Sequence, residues 1–407
     1  MIGEERIKRI SEHFEEPEWL LELRLKNMEK YYELKKLRIA DSPIEKSYSN
    51  FSIDRFFSGI NCDRGLGGQI YPEENYFVLD YRDVGNLNFY IKTEFFEMMD
   101  MRSAIKSYPE TVKESMNFVK DQHTAISNAT FLGGLFIKFN ENKDLAHPLK
   151  IKVKYTGGFY SIKNIIVIGK NVKSEFIEHL QMDPAFMGIS NTYMRQENES
   201  KVKHITMLDG NGCENLNVKN SYQGENSIDE WYVAIKNSSN SSINSNIILN
   251  EGGRFKNYTG VISGGQEIYD ISSNVYHQGK NSNSESIIRT VTAGESRIVS
   301  RGIIEMDKNA KNSYGYYAAH SILLGERSRA YSLPFLKIYG DGSSAKHESS
   351  ISNIDDEMLF YLKSHGLDEM KSKDLIIQGF IDPVVRELLI YEGKRFLVYA
   401  EESSTPR

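Results

Sequence analysis

The chain has 407 residues, enough for two or three ordinary domains or for one long repetitive body with appendages. Its 50 Lys+Arg stand against 56 Asp+Glu, a net charge of −6, which argues against a dedicated nucleic-acid binder. Two cysteines, Cys62 and Cys213, are too few for a disulfide framework and form no CxxC pair for zinc.

The N-terminus, Met1-Ile2-Gly3-Glu4-Glu5-Arg6, is charged where an export signal needs an apolar run. The apolar stretches Phe131–Ile137 and Ile165–Ile168 are too short to span a bilayer, so a cytoplasmic protein without a membrane partner is expected. Residues 1–150 read as an α-rich N-terminal region. Over 17–38, Pro17 suits a first helical turn, and Leu20, Leu23, Met28, Tyr31 and Leu34 recur at helical spacing. Loops and short strands are expected over Asn50–Tyr81, then a second helical stretch over 93–122 with a break at Pro109.

From about 151 to 354 the helical periodicity stops. Short β-branched runs such as Ile151–Tyr155, Trp231–Ile235 and Ile298–Ile304 alternate with Asn, Gly and Ser. Over 237–250, ten of the fourteen residues are Ser or Asn and the rest are Ile or Leu. This texture fits a β-solenoid with polar corners and inward Ile/Val/Leu, with a sandwich or barrel as the alternative. Residues 355–407 return to helix: Asp355 and Asp356 start it and Gly366 stops it. A second helix is expected over 368–379, a third after Pro383, and a frayed tail at the end.

No catalytic motif is complete. Gly65-Leu66-Gly67-Gly68 lacks the last glycine of a dinucleotide loop, and there is no P-loop, so the chain is expected to bind no nucleotide and to be no enzyme. The tightest polar cluster is Lys346-His347-Glu348, although on a strand His347 and Glu348 would face opposite ways. His320 and His365 have no visible partner. A carbohydrate-active β-helix enzyme would need a cleft with paired carboxylates, for which Arg301, Glu305 and Asp307 share one possible face.

Several segments resemble the SufB/SufD family of iron–sulfur cluster assembly proteins. Glu16-Pro17-Glu18-Trp19-Leu20-Leu21-Glu22-Leu23-Arg24-Leu25-Lys26 is similar to the helix near the start of SufB proteins. Ser321-Ile322-Leu323-Leu324-Gly325, Leu333-Pro334-Phe335-Leu336-Lys337-Ile338, Asp356–Leu367 and Ile376–Pro383 resemble the family's C-terminal motifs, and the likeness spans residues 16–385. The resemblance implies a mainly β fold: a right-handed parallel β-helix core between an α-rich N-terminal region and a C-terminal α-helical domain. It implies pairing with a SufB/SufD-type paralogue or an identical chain, and docking of the ABC ATPase SufC with Phe360, Leu362, Leu367 and Phe380 as candidate contacts. It also implies a transient iron–sulfur cluster, with His347 and Glu348 as candidate metal ligands. The SufB cysteines are missing. Ala319 and, in the aligned register, Asn220 stand in their places, so persulfide chemistry is not expected here. A SufD-like supporting role fits better, and a purely structural scaffold is the further alternative.

Overall fold

The computed structural model describes residues 2–36, 48–60, 67–73, 76–82 and 87–392. The chain opens with helices α1 (Ile2–His13), α2 (Glu18–Lys35) and α3 (Ile53–Gly59). Strands β1 (Gly67–Glu73), β2 (Tyr76–Arg82), β3 (Tyr90–Lys92) and β4 (Phe96–Asp100) follow. Then come α4 (Met101–Ser107), α5 (Pro109–Asn117) and α6 (Gln122–Thr130). The solenoid strands are β5 (Leu135–Phe139), β6 (Leu149–Thr156), β7 (Phe159–Ile168), β8 (Lys173–Met182), β9 (Met187–Gln196), β10 (Lys201–Asp209), β11 (Glu214–Gln223) and β12 (Ile228–Lys236). They continue through β13 (Asn240–Leu249), β14 (Arg254–Ser263), β15 (Ile268–His277), β16 (Asn283–Thr292), β17 (Arg297–Met306), β18 (Tyr314–Leu323), β19 (Arg329–Ile338) and β20 (Ser344–Asn353). Helices α7 (Asp356–Ser364) and α8 (Glu369–Glu392) close the chain.

The sheets are those of a parallel β-solenoid of about eight turns. β2 and the even-numbered strands from β6 to β20, with β1 added antiparallel, form one ten-stranded sheet; odd-numbered strands from β5 to β19, with β4 and β3 added, form the other. Every solenoid strand pairs in parallel with the strand two places on, so the chain alternates between sheets at each corner. The corners carry the repeat that the sequence texture only hinted at. Asn142, Asn171, Glu199, Asn226, Gly252, Asn281, Asn312 and Gly342 recur every 26 to 31 residues, all with positive φ. Asn and Gly tolerate that left-handed conformation best, which explains their prevalence.

The Ser/Asn-rich stretch is not loop. All ten residues of β13 are buried, because the outer face of its sheet is covered by helix. α6, buried from His123 to Thr130, lies on β7, β9 and β11. An amide ladder joins the layers. Asn274 Nδ2 donates to Asn246 Oδ1 (3.0 Å), Asn246 to Asn220 (3.0 Å), Asn220 to Asn191 (3.1 Å), Asn191 to Asn128 (3.0 Å) and Asn128 to Asn27 (3.2 Å). Such a chain is stable in a dry interface because each amide both donates and accepts.

Four readings differ, the first being helix α3 within Asn50–Tyr81, where only loops and short strands are expected, its start capped by Ser52. Over 93–122 the helical stretch begins instead as strand β4. Its Phe96, Met98 and Met99 are buried where β4 pairs antiparallel with β5, and α4 starts only where Asp100 caps it. Gly67 and Gly68 enter strand β1, although Gly65 and Leu66 lie outside the described residues, as do Cys62 and the C-terminal tail. Pro383 does not end a helix: α8 runs through it. Ile377, Ile381 and Val384, on both sides of the proline, are buried against the first sheet, and this burial offsets the cost of about 3 kcal/mol for an interior proline.

Candidate functional site

The solenoid has two unlike ends. Near the start, Ile7, Phe56, Phe57 and Ile60 from α1, α3 and the residue after α3 share a core with Leu79 and Tyr81. At the other end β19 and β20 are the last strands of their sheets; none of their residues is buried, and nine of the ten in β20 are exposed. Tyr331, Tyr339 and Ile351 are apolar groups left in the open there.

The Lys346-His347-Glu348 cluster sits on β20. Its register with β18 is unbroken: His347 lies beside Tyr317, and Glu348 beside Ala318. Without a bulge, neighbouring residues point to opposite faces, so the strand does not bring His347 and Glu348 together. The partners of Glu348 come from β18. Tyr316 Oη donates to Glu348 Oε2 (2.9 Å), and His320 Nε2 lies 4.0 Å from Glu348 Oε1. His320 Nδ1 is 2.8 Å from Ser350 Oγ. His320 therefore does have partners; they are 28 and 30 residues away in the next turn, a distance at which no local spacing signals contact. Burial pushes the His320 ring below its ordinary value, Glu348 opposes that, and Arg289 reinforces it. Among the described residues, no group of three or more His, Cys, Asp or Glu converges on a point.

The other expected site residues scatter. Phe360 is 74% exposed on α7, with Met358 and Tyr361 also exposed; Leu362 and Leu367 are half-buried. Phe380 is half-buried against the first sheet, under the Arg289 guanidinium, and so serves internal packing. Ala319 faces the lumen and is buried. Asn220 is a rung of the amide ladder. Arg301, Glu305 and Asp307 form no cleft: Arg301 Nε and Nη2 grip both oxygens of the buried Asp270, Glu305 lies 3.5 Å from Lys337, and Asp307 accepts from the Asn309 and Ala310 amides.

The lumen holds a polar set that the expected Ile/Val/Leu stacking did not include. Glu178 Oε2 lies 3.5 Å from Lys219 Nζ and 3.6 Å from His204 Nε2; Lys219 donates to Thr206, and Ser221 donates to Asp229 (3.2 Å). Burial raises the Glu178 carboxyl, but Lys219 and His204 together outweigh it and hold it low. Burial, then Lys219, pushes His204 down to about 4, and burial pushes Asp229 up to about 7. Cys213 is buried beside Met182 and Asn215, and burial pushes its thiol up to about 12, so it is no nucleophile.

Residues 154–380, more than half of the chain and nearly all of the solenoid, match the family profile described as SUF system FeS cluster assembly, SufBD core domain. The chain belongs to the SufBD family. It is 23% identical to an iron–sulfur cluster assembly SufBD family protein of Staphylococcus haemolyticus, covering 95% of this chain and 90% of that protein. The same identity and coverage hold for SufBD family proteins of Staphylococcus saprophyticus and of Staphylococcus aureus strain MRSA252. The SufBD match spans the strands that carry Glu178, Asn220, His320 and Glu348. Among the described residues, no helix is long and apolar enough to cross a membrane.

Proposed function

We propose that this SufBD chain is a cytoplasmic scaffold subunit without catalysis of its own. It pairs through its open end with a SufB/SufD-type paralogue or an identical chain, and it docks a SufC-type ABC ATPase on its C-terminal helices. The observation that carries the reading is the open end of the solenoid, where β19 and β20 are the last strands and carry exposed apolar groups. A repeat stack needs both ends covered to stay soluble, so the bare end calls for a partner. His347 and Glu348 lie on the last strand of that end, where they offer imidazole and carboxylate donors to a transient iron–sulfur cluster from opposite faces of β20. Sulfur would come from the partner or from free sulfide, because Ala319 and Asn220 supply no thiolate. This same lack favours, as the second reading, a purely structural scaffold that holds no cluster.

The docking surface is α7 with the start of α8, where Met358, Phe360, Tyr361, Met370 and Leu375 are exposed apolar groups. None of the α7 residues is buried, so the helix contributes nothing to this chain's core. SufC from the same cell is expected to co-purify with the full chain, and Phe360→Asp to reduce the captured amount at least about tenfold, as removal of a central aromatic anchor does. Phe380→Ala should act through loosening of α8 instead. No capture of SufC by the unaltered chain would overturn the docking claim.

A further inference from the structure

We propose that the cavity beside the turn from α1 to α2 binds a small aromatic carboxylate, with Arg102 and Lys106 holding the carboxylate and Phe14 and Trp19 flanking the ring. The site does not depend on the scaffold reading. It gives a use to the N-terminal Glu16–Lys26 motif, whose Glu16, Pro17 and Trp19 line this space.

The cavity holds about 930 Å³, which suits a small organic ligand rather than a lone ion. Its walls come from places that only the fold unites: His13–Pro17 in the α1–α2 turn, Met101–Lys106 in α4, and Leu132–Gly134 after α6. Glu15 turns the chain there with a φ of 49°, a left-handed conformation that an acidic residue keeps only when its surroundings hold it. Arg102 sets the geometry. Its Nη1 donates to Glu16 Oε1 (2.5 Å), its Nη2 donates to the Leu132 carbonyl (2.6 Å), and its Cζ lies 3.3 Å from the centre of the Phe14 ring. These bonds use two of the five N–H groups of the guanidinium, and its side chain remains 25% exposed.

The unspent hydrogen-bonding capacity of these walls is mostly donor. Glu16 already accepts from Arg24 and Arg102, and Asp100 accepts from Ser103 N, Ser103 Oγ and Phe89 N. Lys106, four residues beyond Arg102 and so on the same side of α4, is exposed and has no hydrogen-bond or ion-pair partner among the described residues. A ligand that brings acceptor oxygens therefore completes the wall. The charges limit it to a monoanion. Glu15, Glu16 and Asp100 stand against Arg24, Arg102 and Lys106, which leaves no cationic surplus for a phosphate dianion. A carboxylate carries one charge, and a guanidinium beside an ammonium takes it up. Phe14, Trp19, Leu87 and Ile105 line the same space and give the ring an apolar bed.

Calorimetric titration of the purified full-length chain with 2-naphthoate tests the site, and Trp19 serves as a reporter. The only other tryptophan, Trp231, is buried in the core with Ile247 and Phe255. One 2-naphthoate per chain is expected, with a Kd at or below about 1 mM and a shift in tryptophan emission. Lys106→Glu, an exposed change whose fold circular dichroism confirms, should weaken binding at least about tenfold. Trp19→Phe should keep the affinity within about threefold and abolish the emission shift. Neutral 2-naphthalenemethanol should bind at least about tenfold more weakly than the carboxylate, and AMP should not displace it. No binding by the unaltered chain, undiminished binding by Lys106→Glu, an emission shift that survives Trp19→Phe, equal affinity for the alcohol, or displacement by AMP would each overturn the site. SufC capture by the same proteins is a separate readout: if it persists while the naphthoate result fails, the site falls and the scaffold reading stands.

Discussion

Asn220 accepts from Asn246 and donates to Asn191 inside an interface closed to water, so an apolar replacement would strand both neighbours. Its sequence neighbourhood offered no hint of this, because each rung comes from a different turn of the solenoid. The same reason hid His320, whereas His347 and Glu348 were legible as adjacent residues in a family motif. That a strand would separate them was legible too; only the absence of a bulge needed the structure. Buried histidines set the acid behaviour of the lumen. His277 is wholly enclosed, with Nδ1 2.7 Å from Ser282 Oγ and Nε2 2.8 Å from Ser284 Oγ, and burial pushes it down to about 3 from an ordinary 6.5. Between these values the unfolded chain holds a proton on this ring and the folded chain does not. Stability therefore rises with pH across that window, by about 1.4 kcal/mol per unit where the difference is a full proton. His277→Gln, which cannot take up that proton, is expected to lower stability at pH 6.5 yet flatten the dependence between pH 6.5 and 4.5. Urea midpoints at the two pH values check it, and an unchanged slope would count against the assignment.

At the scale of elements, strands were more legible than helices. Ile151–Tyr155, Trp231–Ile235 and Ile298–Ile304 all fall within observed strands, because β-branched runs next to Asn and Gly corners leave little else to form. The corner column became readable only in space: Glu199 occupies one of its positive-φ positions, which breaks the Asn/Gly repeat in the sequence. Helix ends were set by tertiary contact. α8 survives Pro383 because the first sheet holds it from both sides, with Lys203 Nζ on Glu387 (2.9 Å) as a polar tie. Ile381 is the anchor just before the proline, and its truncation to Ala is expected to loosen the helix by about 2–5 kcal/mol. Amide hydrogen exchange over 369–392 should then quicken at least about tenfold while the solenoid strands keep their protection. Equal acceleration in the strands would mean that α8 is part of the core rather than a docked element.

Across the whole molecule, the sequence identified a β body between helical regions but not their interlocking. Residues 67–139 supply strands to the same two sheets as the repeat, and α6 is inserted under an amide ladder that reaches back to Asn27 in α2. The buried carboxylate of Glu16 makes the same connection: it receives Arg24 (2.8 Å) and Arg102 (2.5 Å), while Arg24 also donates to the Ala129 and Phe131 carbonyls at the end of α6. The charged residues of the SufB-like N-terminal motif therefore weld the helical region to the solenoid. The opposite end has the reverse character. Its two last strands carry unpaired backbone groups, with Ile351 at 45% exposure and Tyr339 at 60%. If pairing covers this end, a lysine at position 351 should disrupt it by placing a charge in the joint without disturbing the capped end. Ile351→Lys is expected to shift the chain from dimer to monomer in sedimentation velocity, or to abolish capture of a SufB/SufD-type paralogue, with thermal unfolding of the subunit little changed. A chain that stays monomeric and soluble with its native isoleucine, and captures no paralogue, would show that the bare end needs no partner.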